Sequence, residues 1–337
     1  MKKVVFNKHG GIEVLEFTEA SLPEPAPGEA RLKVITSGIS WADVMARRGQ
    51  YFGENNKTPK TPGYDVVGIV DKVGDGVASV RVGQRMAAIL FKMGGNSEYV
   101  CIPQQFLVTV PEALDSAEAT AVILNGLTAY ASLHRALKVK AGEKIFVTNA
   151  AGGVGTMAVQ LAKLAGLEVY GSASTGKLSL VKELGAAPID YKTEDVITRV
   201  RELSGGGVDV VMDMAGNNEI NLFDALSDKG GRILMVGAVA FVGMNPRTMF
   251  KKFVGSYARS FFSRKEKFAF FGDLPTIATK DPQWYRQTLS ELFNLVVNGK
   301  LKVVIGKRLP MQEIAQGHHM LESSAVSGKI ILEAQRN

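Results

Sequence analysis

The chain has 337 residues, 46% of them apolar, and a formal net charge of +7. This length predicts two domains, each large enough for its own core. The basic residues are mostly scattered, so the charge does not indicate a nucleic-acid-binding surface. The single cysteine, Cys101, excludes an internal disulfide and a multi-cysteine zinc site. No run approaches bilayer-spanning length and the first residues lack the apolar segment of a signal peptide, so we expect a cytoplasmic protein.

Residues 1 to about 120 predict a small, irregular β-barrel domain. Short apolar and β-branched runs alternate there with proline and glycine, and turn clusters such as residues 23–28 separate them. Cys101 falls in the last of these runs without an evident base partner, which is typical of a buried structural thiol rather than a nucleophile. The predicted strands are Val4–Phe6, Arg31–Thr36, Val66–Val73, Arg85–Leu90 and Glu98–Ile102.

Residues 121–299 predict a doubly wound parallel sheet, because strand-like runs alternate with helical patterns. After the strand that begins at Lys144, the predicted strands are Glu168–Gly171, Val208–Met214 and Arg232–Val236. The predicted helices are Gly155–Ala165, Lys177–Leu184, Val196–Leu203 and Pro282–Asn298.

Residues 300–337 return to a strand pattern and are expected to pack back onto the first domain. Strands are predicted at Lys302–Ile305 and Lys329–Leu332, with a helix over Met311–Glu322. The predicted domains are therefore 1–120 together with 300–337, and 121–299. A nested order of this kind predicts a cleft between the domains, where ligand sites are favoured.

A glycine-rich turn after the first strand of the second domain is the most informative motif. The strand Lys144–Thr148 runs into Asn149 and Ala150, and a helical pattern follows at once. Small residues let the backbone approach a pyrophosphate, and the helix N-terminus offers free N–H groups. Because Ala150 occupies the first position of the full glycine fingerprint, the strand–turn–helix context carries the prediction of a dinucleotide site. The predicted contacts are Ala151, Gly152, Gly153, Val154 and Gly155.

The end of the next strand favours NADP over NAD. An NAD site usually places a carboxylate there for the ribose 2′-hydroxyl, and this chain has none in that position. Ser172, Ser174 and Lys177 instead offer hydrogen-bond donors and a positive charge to the extra phosphate. The alternative is a polar loop with a solvated lysine. Gly216 and Gly237 end the next two predicted strands, where the cofactor is expected to cross the sheet.

Motifs along nearly the whole chain resemble the medium-chain dehydrogenase/reductase family of the quinone oxidoreductase type. This resemblance implies a GroES-like β-barrel catalytic domain plus a Rossmann domain that binds NADP. Asn125 and the run Gly171–Ser174 are most similar to the vesicle amine transport protein branch. The motifs are Gly38–Asp43, Arg48–Tyr51, Pro62–Gly68, Leu127–Tyr130, Ala150–Gly155 with Ala158–Lys163, Lys182–Ala186 with Ile189–Tyr191, and Gly328–Leu332.

The same resemblance implies an enzyme that works without zinc. Alcohol dehydrogenases of the superfamily carry cysteine at the position of Ser40 and Gly-His-Glu at the position of Gly63-Tyr64-Asp65. Serine and tyrosine are poor zinc ligands compared with thiolate and imidazole. The cysteine-bearing structural zinc loop is absent, and the four histidines show no ligand spacing with the single cysteine. We therefore predict no metal site.

The predicted function is NADPH-dependent reduction of quinones or α,β-unsaturated carbonyl compounds by hydride transfer. By resemblance, Ser40 lies beside the nicotinamide and donates a hydrogen bond. Tyr51 and Tyr64 are candidate donors to substrate or cofactor, with ordinary packing as their alternative. Further cofactor contacts are expected at Asn125 and Thr128 on the nicotinamide side, and at Tyr191, which would reach the adenosine phosphate together with Lys177.

The segment Pro246–Leu274 is rich in both aromatic and basic residues. Phe250, Phe253, Tyr257 and Phe261 share a helical face, and Lys252 and Arg264 are among the cations around it. A lid, or a helix packed on the cleft or on a subunit partner, is favoured over a basic patch that touches anionic lipid.

Two further hypotheses concern this segment. Phe268–Phe271 is predicted as an edge strand that pairs two subunits into a homodimer. The alternative function is that of a nucleotide-fold protein in membrane or lipid handling, with little or no reductase activity. Liposome binding and NADPH turnover distinguish this alternative from the reductase.

Overall fold

The computed structural model describes residues 1–51, 56–216, 221–237, 246–263, 265–272 and 274–334. The chain divides into two units, Met1–Leu127 with Pro275–Asn337 and Thr128–Leu274. The helix Pro282–Val297, which the sequence analysis placed in the second domain, groups with the first unit.

The first unit is built from the N-terminal and C-terminal parts of the chain. Its elements are β1 Lys2–Val5, β2 Glu16–Glu19, β3 Glu29–Ile39, α1 Trp41–Arg47, β4 Asp65–Val73, β5 Arg85–Ile89, β6 Tyr99–Pro103, β7 Val108–Thr109 and most of α2 Ser116–Tyr130. After the second unit come α7 Leu274–Lys280, α8 Pro282–Val297, β14 Ile305–Pro310, α9 Ile314–Glu322 and β15 Lys329–Glu333.

The sheet of the first unit has seven strands, ordered β14-β15-β3-β4-β5-β7, with β6 also paired to β3. The pairing of β3 with β4 is antiparallel and contains two register shifts. Alternating residues such as Leu32 and Val34 of β3 and Val66 and Val70 of β4 are buried in one apolar cluster. This period of two places them on one face of the sheet, and neighbours such as Val67 are buried on the other face. The predicted irregular β domain is confirmed.

The predicted strand Lys302–Ile305 is wrong in its bounds, because the observed strand β14 starts at Ile305 and runs to Pro310. The apolar run before it suggested a strand, but pairing with β15 decides where the ladder forms. Ile305 pairs with Lys329, the first residue of β15, and the Lys329 N–H donates to Val304 O at 2.9 Å. Leu301 is buried and its N–H closes the end of α8 through Leu295 O.

The second unit is a parallel sheet of six strands with helices between them. Its elements are β8 Lys144–Val147, α3 Gly153–Leu164, β9 Glu168–Ala173, α4 Leu178–Glu183, β10 Ala187–Asp190, α5 Val196–Ser204, β11 Val210–Asp213, β12 Gly231–Val236, α6 Pro246–Phe262 and β13 Glu266–Phe271. The strand order is β10-β9-β8-β11-β12-β13, and every neighbouring pair is parallel.

This order confirms the predicted doubly wound fold. The central strands are almost continuously apolar, as parallel strands covered on both faces require. Phe146 of β8, Val211 of β11 and Ile233 of β12 meet in one buried cluster. From β8 the chain adds β9 and β10 on one side, and it then returns to add β11 on the other side of β8. Such folds bind ligands at the carboxyl ends of the strands around this switch point, which are here β8, β9 and β11.

The helix α6 carries large exposed aromatic side chains. Phe250, Phe261 and Phe262 are 68%, 82% and 83% exposed. On the same helix, Arg259 forms an ion pair with Glu266 and lies over the Phe223 ring at 4.4 Å. The predicted contributions of Arg264 and of the Lys252 and Phe253 side chains lie outside the described residues. Within the described ranges, no helix is long and apolar enough to cross a membrane.

Candidate cofactor site and active site

The turn after β8 presents the N-terminus of α3 at the carboxyl edge of the sheet. Gly152 is the N-cap residue of α3 and has an extended backbone. No side chain accepts a capping hydrogen bond at this helix start, so the N–H groups of the first turn are not used by a cap. A Cβ on Gly155 would lie 2.2 Å from Asn149 O, so only glycine lets the turn and the helix approach this closely. Asn149 has a φ of 51°, a left-handed conformation that asparagine tolerates. The arrangement suits a bound pyrophosphate.

Two further contacts fix this turn to its neighbours. The Ala150 N–H donates to Ser172 O of β9 at 2.9 Å. On the other side, Thr148 Oγ1 donates to Asp213 Oδ1, at the end of β11, at 2.8 Å. The sequence analysis missed both Thr148 and Asp213. The signal that would have found them is a hydroxyl and a carboxyl at the ends of two strands that become neighbours only in the folded sheet.

The candidate phosphate ligands cluster at the ends of β9 and β10. Ser172 is buried, whereas Ser174 and Lys177 are partly exposed. The Lys177 N–H donates to Ser174 O at 2.8 Å within a short 3₁₀ turn, and partial burial lowers the pKa of its side chain. Tyr191 follows β10, where its N–H donates to Ala173 O, and the residue is 45% exposed. The structure therefore brings Ser174, Lys177 and Tyr191 to one edge.

A carboxyl that the sequence analysis did not consider also lies at this edge. Asp190 Oδ2 accepts a hydrogen bond from Thr175 Oγ1 at 2.6 Å, and Asp190 Oδ1 accepts the Lys192 N–H at 3.0 Å. The Thr175 hydrogen bond is the main reason that the pKa of Asp190 is lowered. The Asp190 carboxylate therefore stabilises the loops that follow β9 and β10.

The remaining predicted cofactor residues fall into two groups. Gly216 lies three residues after the end of β11 and Gly237 directly follows β12, and their φ values of 64° and 72° are a conformation that favours glycine. The residues after each of them, 217–220 and 238–245, lie outside the described ranges. Asn125 is buried and Thr128 partly exposed, and the two are one turn apart on α2.

In the first unit, Ser40 and Asp43 form the start of α1. The Ser40 N–H and Oγ both donate to Asp43 Oδ2 at 2.7 Å, and the Gly63 N–H donates to Asp43 Oδ1 at 2.7 Å. Asp43 is completely buried, and this desolvation raises its pKa to about 6. The sequence analysis singled out Ser40 but not Asp43, although a serine followed three residues later by an acid is a helix-start pattern.

The two candidate tyrosines lie together in the same unit. Tyr51 and Tyr64 are hydrogen-bonded to each other, with ring centroids 6.4 Å apart. Tyr64 is buried, whereas Tyr51 is partly exposed and its pKa is raised by burial. Tyr51 is therefore the member of the pair with access to a ligand.

The positions that would hold catalytic zinc in alcohol dehydrogenases do not fit that metal here. Ser40 Oγ is hydrogen-bonded to Asp43, and Asp65 forms a buried ion pair with Lys329 Nζ at 2.7 Å. A hydroxyl, a phenol and an ammonium-paired carboxylate are a poor donor set for Zn²⁺. No cluster of three or more metal-ligating side chains occurs within the described ranges. Cys101 on β6 is half-buried, and burial raises its pKa to about 11.

Taken together, an irregular β domain, a parallel nucleotide-binding sheet and the Ser40 network define a class of dehydrogenase. Residues 26–112 match the alcohol dehydrogenase GroES-like domain, and residues 184–332 match the zinc-binding dehydrogenase family. The chain belongs to the medium-chain dehydrogenase/reductase family of the quinone oxidoreductase type. The predicted family and its two-part fold are confirmed.

Individual relatives support the same placement. The chain is 31% identical to quinone oxidoreductase from Pongo abelii, covering 98% of this chain and 97% of that protein. It is 30% identical to the human synaptic vesicle membrane protein VAT-1 homolog, covering 98% of this chain and 86% of that protein. The crystal structure of Escherichia coli quinone oxidoreductase complexed with NADPH is 29% identical and superposes with a TM-score of 0.87, covering 99% of this chain and all of that one.

Proposed function

We propose that this protein is an NADPH-dependent reductase of quinones or α,β-unsaturated carbonyl compounds. The observation that carries the proposal is the uncapped N-terminus of α3 with Ser174, Lys177 and Tyr191 grouped at the neighbouring strand ends. The Escherichia coli quinone oxidoreductase that was solved with NADPH has the same fold, which supports the choice of cofactor.

The residues present fit this cofactor. The backbone N–H groups at the start of α3 would bind the pyrophosphate, and Lys177 with Ser174 would bind the 2′-phosphate. Gly152 and Gly155 keep the approach to the helix free of side chains. When bound, NADPH supplies a hydride. The remaining tasks are to orient the acceptor, to exclude water and to stabilise the negative charge that develops on the acceptor oxygen.

Hydrogen-bond donors of the first unit are the proposed partners of that oxygen. Ser40 Oγ and Tyr51 OH are hydroxyl donors of the type that stabilises an enolate or a hydroquinone anion. A quinone or an enone is activated by its own carbonyl group, so this reaction needs no Lewis acid beyond such donors. The poor donor set for zinc at Ser40 and Tyr64 agrees with this choice of substrate.

A panel assay with purified protein tests the proposal. Nicotinamide absorbance is followed with ortho- and para-quinones, alkenals and enoyl thioesters, with NADH in place of NADPH as the control. We expect turnover with NADPH, and we expect treatment with a strong zinc chelator to leave the rate unchanged. Calorimetry that detects no heat with NADPH or NADP⁺ contradicts the proposal. Salt-sensitive binding to anionic liposomes without turnover on any substrate favours the lipid-handling alternative.

We further propose that the enzyme is a homodimer joined through β13. This strand ends the order of the described sheet, and Phe270 on it is 36% exposed. Pairing with a second copy would satisfy an open strand edge. Phe270→Glu is expected to convert the dimer to a monomer in sedimentation velocity, whereas Val82→Glu, at an exposed position of the first unit, is expected to remain dimeric. A wild-type monomer at all concentrations would exclude the dimer.

A further inference from the structure

A buried carboxyl group lies directly behind Ser40. Asp43 has no solvent exposure, whereas Ser40 retains 8%. Ser40 is therefore the more accessible member of the pair, and its hydroxyl is hydrogen-bonded to Asp43 Oδ2 at 2.7 Å. The three donors on Asp43 stabilise its ionised form, while burial favours the protonated form. Two protonation states of this group are thus accessible near neutral pH.

The cation that faces Asp43 is shared with a second carboxyl group. Lys329 Nζ is bonded to Asp65 Oδ2 at 2.7 Å, and Asp65 Oδ1 is buried without a hydrogen-bond partner. The lysine also lowers the pKa of Asp43 through its charge. Gly38 makes room for it, because a Cβ there would lie 2.4 Å from Lys329 Cε. With one lysine and two carboxyl groups, the cluster is neutral when Asp43 is protonated and carries one negative charge when it is not.

Other titratable groups around α1 are already committed. Arg47, one turn further along the helix, pairs with Glu322 of α9 at 2.5 Å. His318 of α9 is fully buried, and desolvation lowers its pKa to about 3, so its imidazole stays neutral. Tyr51 feels the charge of Asp43, which helps to raise its pKa, and it is hydrogen-bonded to Tyr64. Among the described residues that face it, Lys329 and Asp65 are therefore the pair that sets the charge around Asp43.

We propose that Asp43 stores the proton that completes the reduction and that Ser40 delivers this proton to the substrate. The inference rests on the proposed reductase function and adds to it a named proton source. Ser40 is then a catalytic residue, because it touches the substrate. Asp43 is a positioning residue that acts through Ser40.

The step balances as follows in atoms and electrons. Hydride from NADPH forms a C–H bond at the β-carbon of the enone, and the electron pair of the double bond moves to the carbonyl oxygen, which gives an enolate. The Ser40 O–H bond breaks as its proton passes to the enolate oxygen, which gives the enol, and the enol tautomerises to the saturated carbonyl product. The serine oxygen takes the proton from Asp43, which leaves a carboxylate held by the Ser40 and Gly63 N–H groups. A proton from bulk solvent then restores the acid form of Asp43, so each turnover consumes one hydride and one proton.

Turnover measured against pH tests this relay. With an enone substrate, kcat is expected to fall as the pH rises through the pKa of Asp43, because only the protonated acid can supply the relay. Ser40→Ala leaves the backbone hydrogen bonds of Asp43 in place and is expected to lower kcat by about 100-fold. Ser37→Ala is the matched control, since Ser37 is buried on β3, three residues before Ser40, and its hydroxyl has no hydrogen-bond partner. This control is expected to retain wild-type kcat and pH profile.

Variants of the neighbouring Asp65–Lys329 ion pair are expected to shift the apparent pKa of the kcat profile in opposite directions. Asp65→Asn leaves the full charge of Lys329 to Asp43 and is expected to lower the apparent pKa of the kcat profile by about one unit. Lys329→Met is expected to raise it, and this second variant serves if Asp65→Asn fails to fold. Wild-type turnover with a profile that neither variant moves, or an Ser40→Ala enzyme as fast as wild type, overturns the relay and leaves the reductase intact. Absence of wild-type turnover on every substrate contradicts the reductase itself.

Discussion

Thr148 Oγ1 donates a hydrogen bond to Asp213 Oδ1 at 2.8 Å and joins the turns that follow two neighbouring strands of the nucleotide-binding sheet. The same hydroxyl oxygen accepts the N–H groups of Met214 and Ala215, at 2.8 and 3.1 Å. Asp213 Oδ1 in turn accepts the Gly216 N–H at 3.2 Å. The edge that we propose to bind the cofactor is therefore fixed by a side-chain pair rather than by the backbone ladder alone.

Thr148→Val is expected to lower the free energy of unfolding by about 1–3 kcal/mol, because it removes the hydroxyl donor of a buried carboxylate. Asp213 is 1% exposed and its Oδ2 already has no hydrogen-bond partner, so water cannot replace the lost contact cheaply. Urea unfolding measures the change, and NADPH titration is expected to show weaker binding. Thr148→Ser keeps the hydroxyl and is the control. A valine variant as stable as wild type would show that the pair is dispensable.

Gly155→Ala is expected to destabilise the protein by about 1–3 kcal/mol and to abolish measurable NADPH binding. The added Cβ would lie 2.2 Å from the backbone oxygen of Asn149, which cannot move without distorting the turn. Gly255→Ala on α6 is the matched control, since a Cβ there meets no atom within 4 Å. Thermal unfolding and calorimetry report the two effects. Normal NADPH affinity in the Gly155→Ala variant would remove this turn from the cofactor site.

Lys177→Ala is expected to weaken NADPH binding by about 10- to 100-fold, the size of a lost charge-assisted hydrogen bond, and to change NADH binding far less. The difference arises because only NADPH carries the 2′-phosphate. Lys182→Ala, at an exposed position on α4, is the control for a general loss of positive charge. Dissociation constants for both coenzymes decide the outcome. Equal losses for NADPH and NADH would exclude Lys177 from the phosphate site.

His318 is expected to make stability depend on pH. Burial lowers its pKa to about 3, so the unfolded chain binds a proton near its ordinary pKa of 6.5 while the folded chain does not. The contribution of His318 to stability is fully present above about pH 6.5 and is lost as the pH falls toward 3. The loss in the free energy of unfolding is about 2 kcal/mol near pH 5. Asp43, whose pKa is raised, contributes with the opposite sign, so variants must be compared with wild type at each pH.

The comparison uses two adjacent histidines. His318→Leu is expected to gain stability relative to wild type as the pH falls from about 7 to 5, because the cost of keeping a buried imidazole neutral disappears. His319→Leu is the control, since His319 is exposed on the same helix. Urea unfolding at each pH gives the difference. Parallel pH curves for the wild type and the His318→Leu variant would show that this imidazole is not the titrating group.

The nucleotide-binding half was largely predictable because its signals are local. The apolar run of β8, the small residues of the turn and the helical pattern of α3 occur within about 20 consecutive residues, and propensity and periodicity decide such a segment. The end of β14 was not predictable in the same way. Its bounds depend on the register with β15, which the chain reaches only after a helix.

The cluster of Asp43, Asp65 and Lys329 next to Ser40 could not be predicted from the sequence for a different reason. Asp65 and Lys329 are 264 residues apart in sequence, and no periodic pattern connects them. Asp43 was the accessible part, because its spacing from Ser40 is that of a capping box. The raised pKa of Asp43 required the burial that only the fold provides.

The half-buried Cys101 has a practical consequence for spectroscopy on this protein. Its pKa of about 11 keeps the sulfur almost entirely as the thiol at neutral pH, and the thiolate is the reactive species toward maleimides and iodoacetamides. Because the chain has no other cysteine, a fluorophore or spin label directed to a newly introduced, exposed cysteine should attach faster at that position than at Cys101. Distance measurements between engineered label pairs are thus feasible in an otherwise native background.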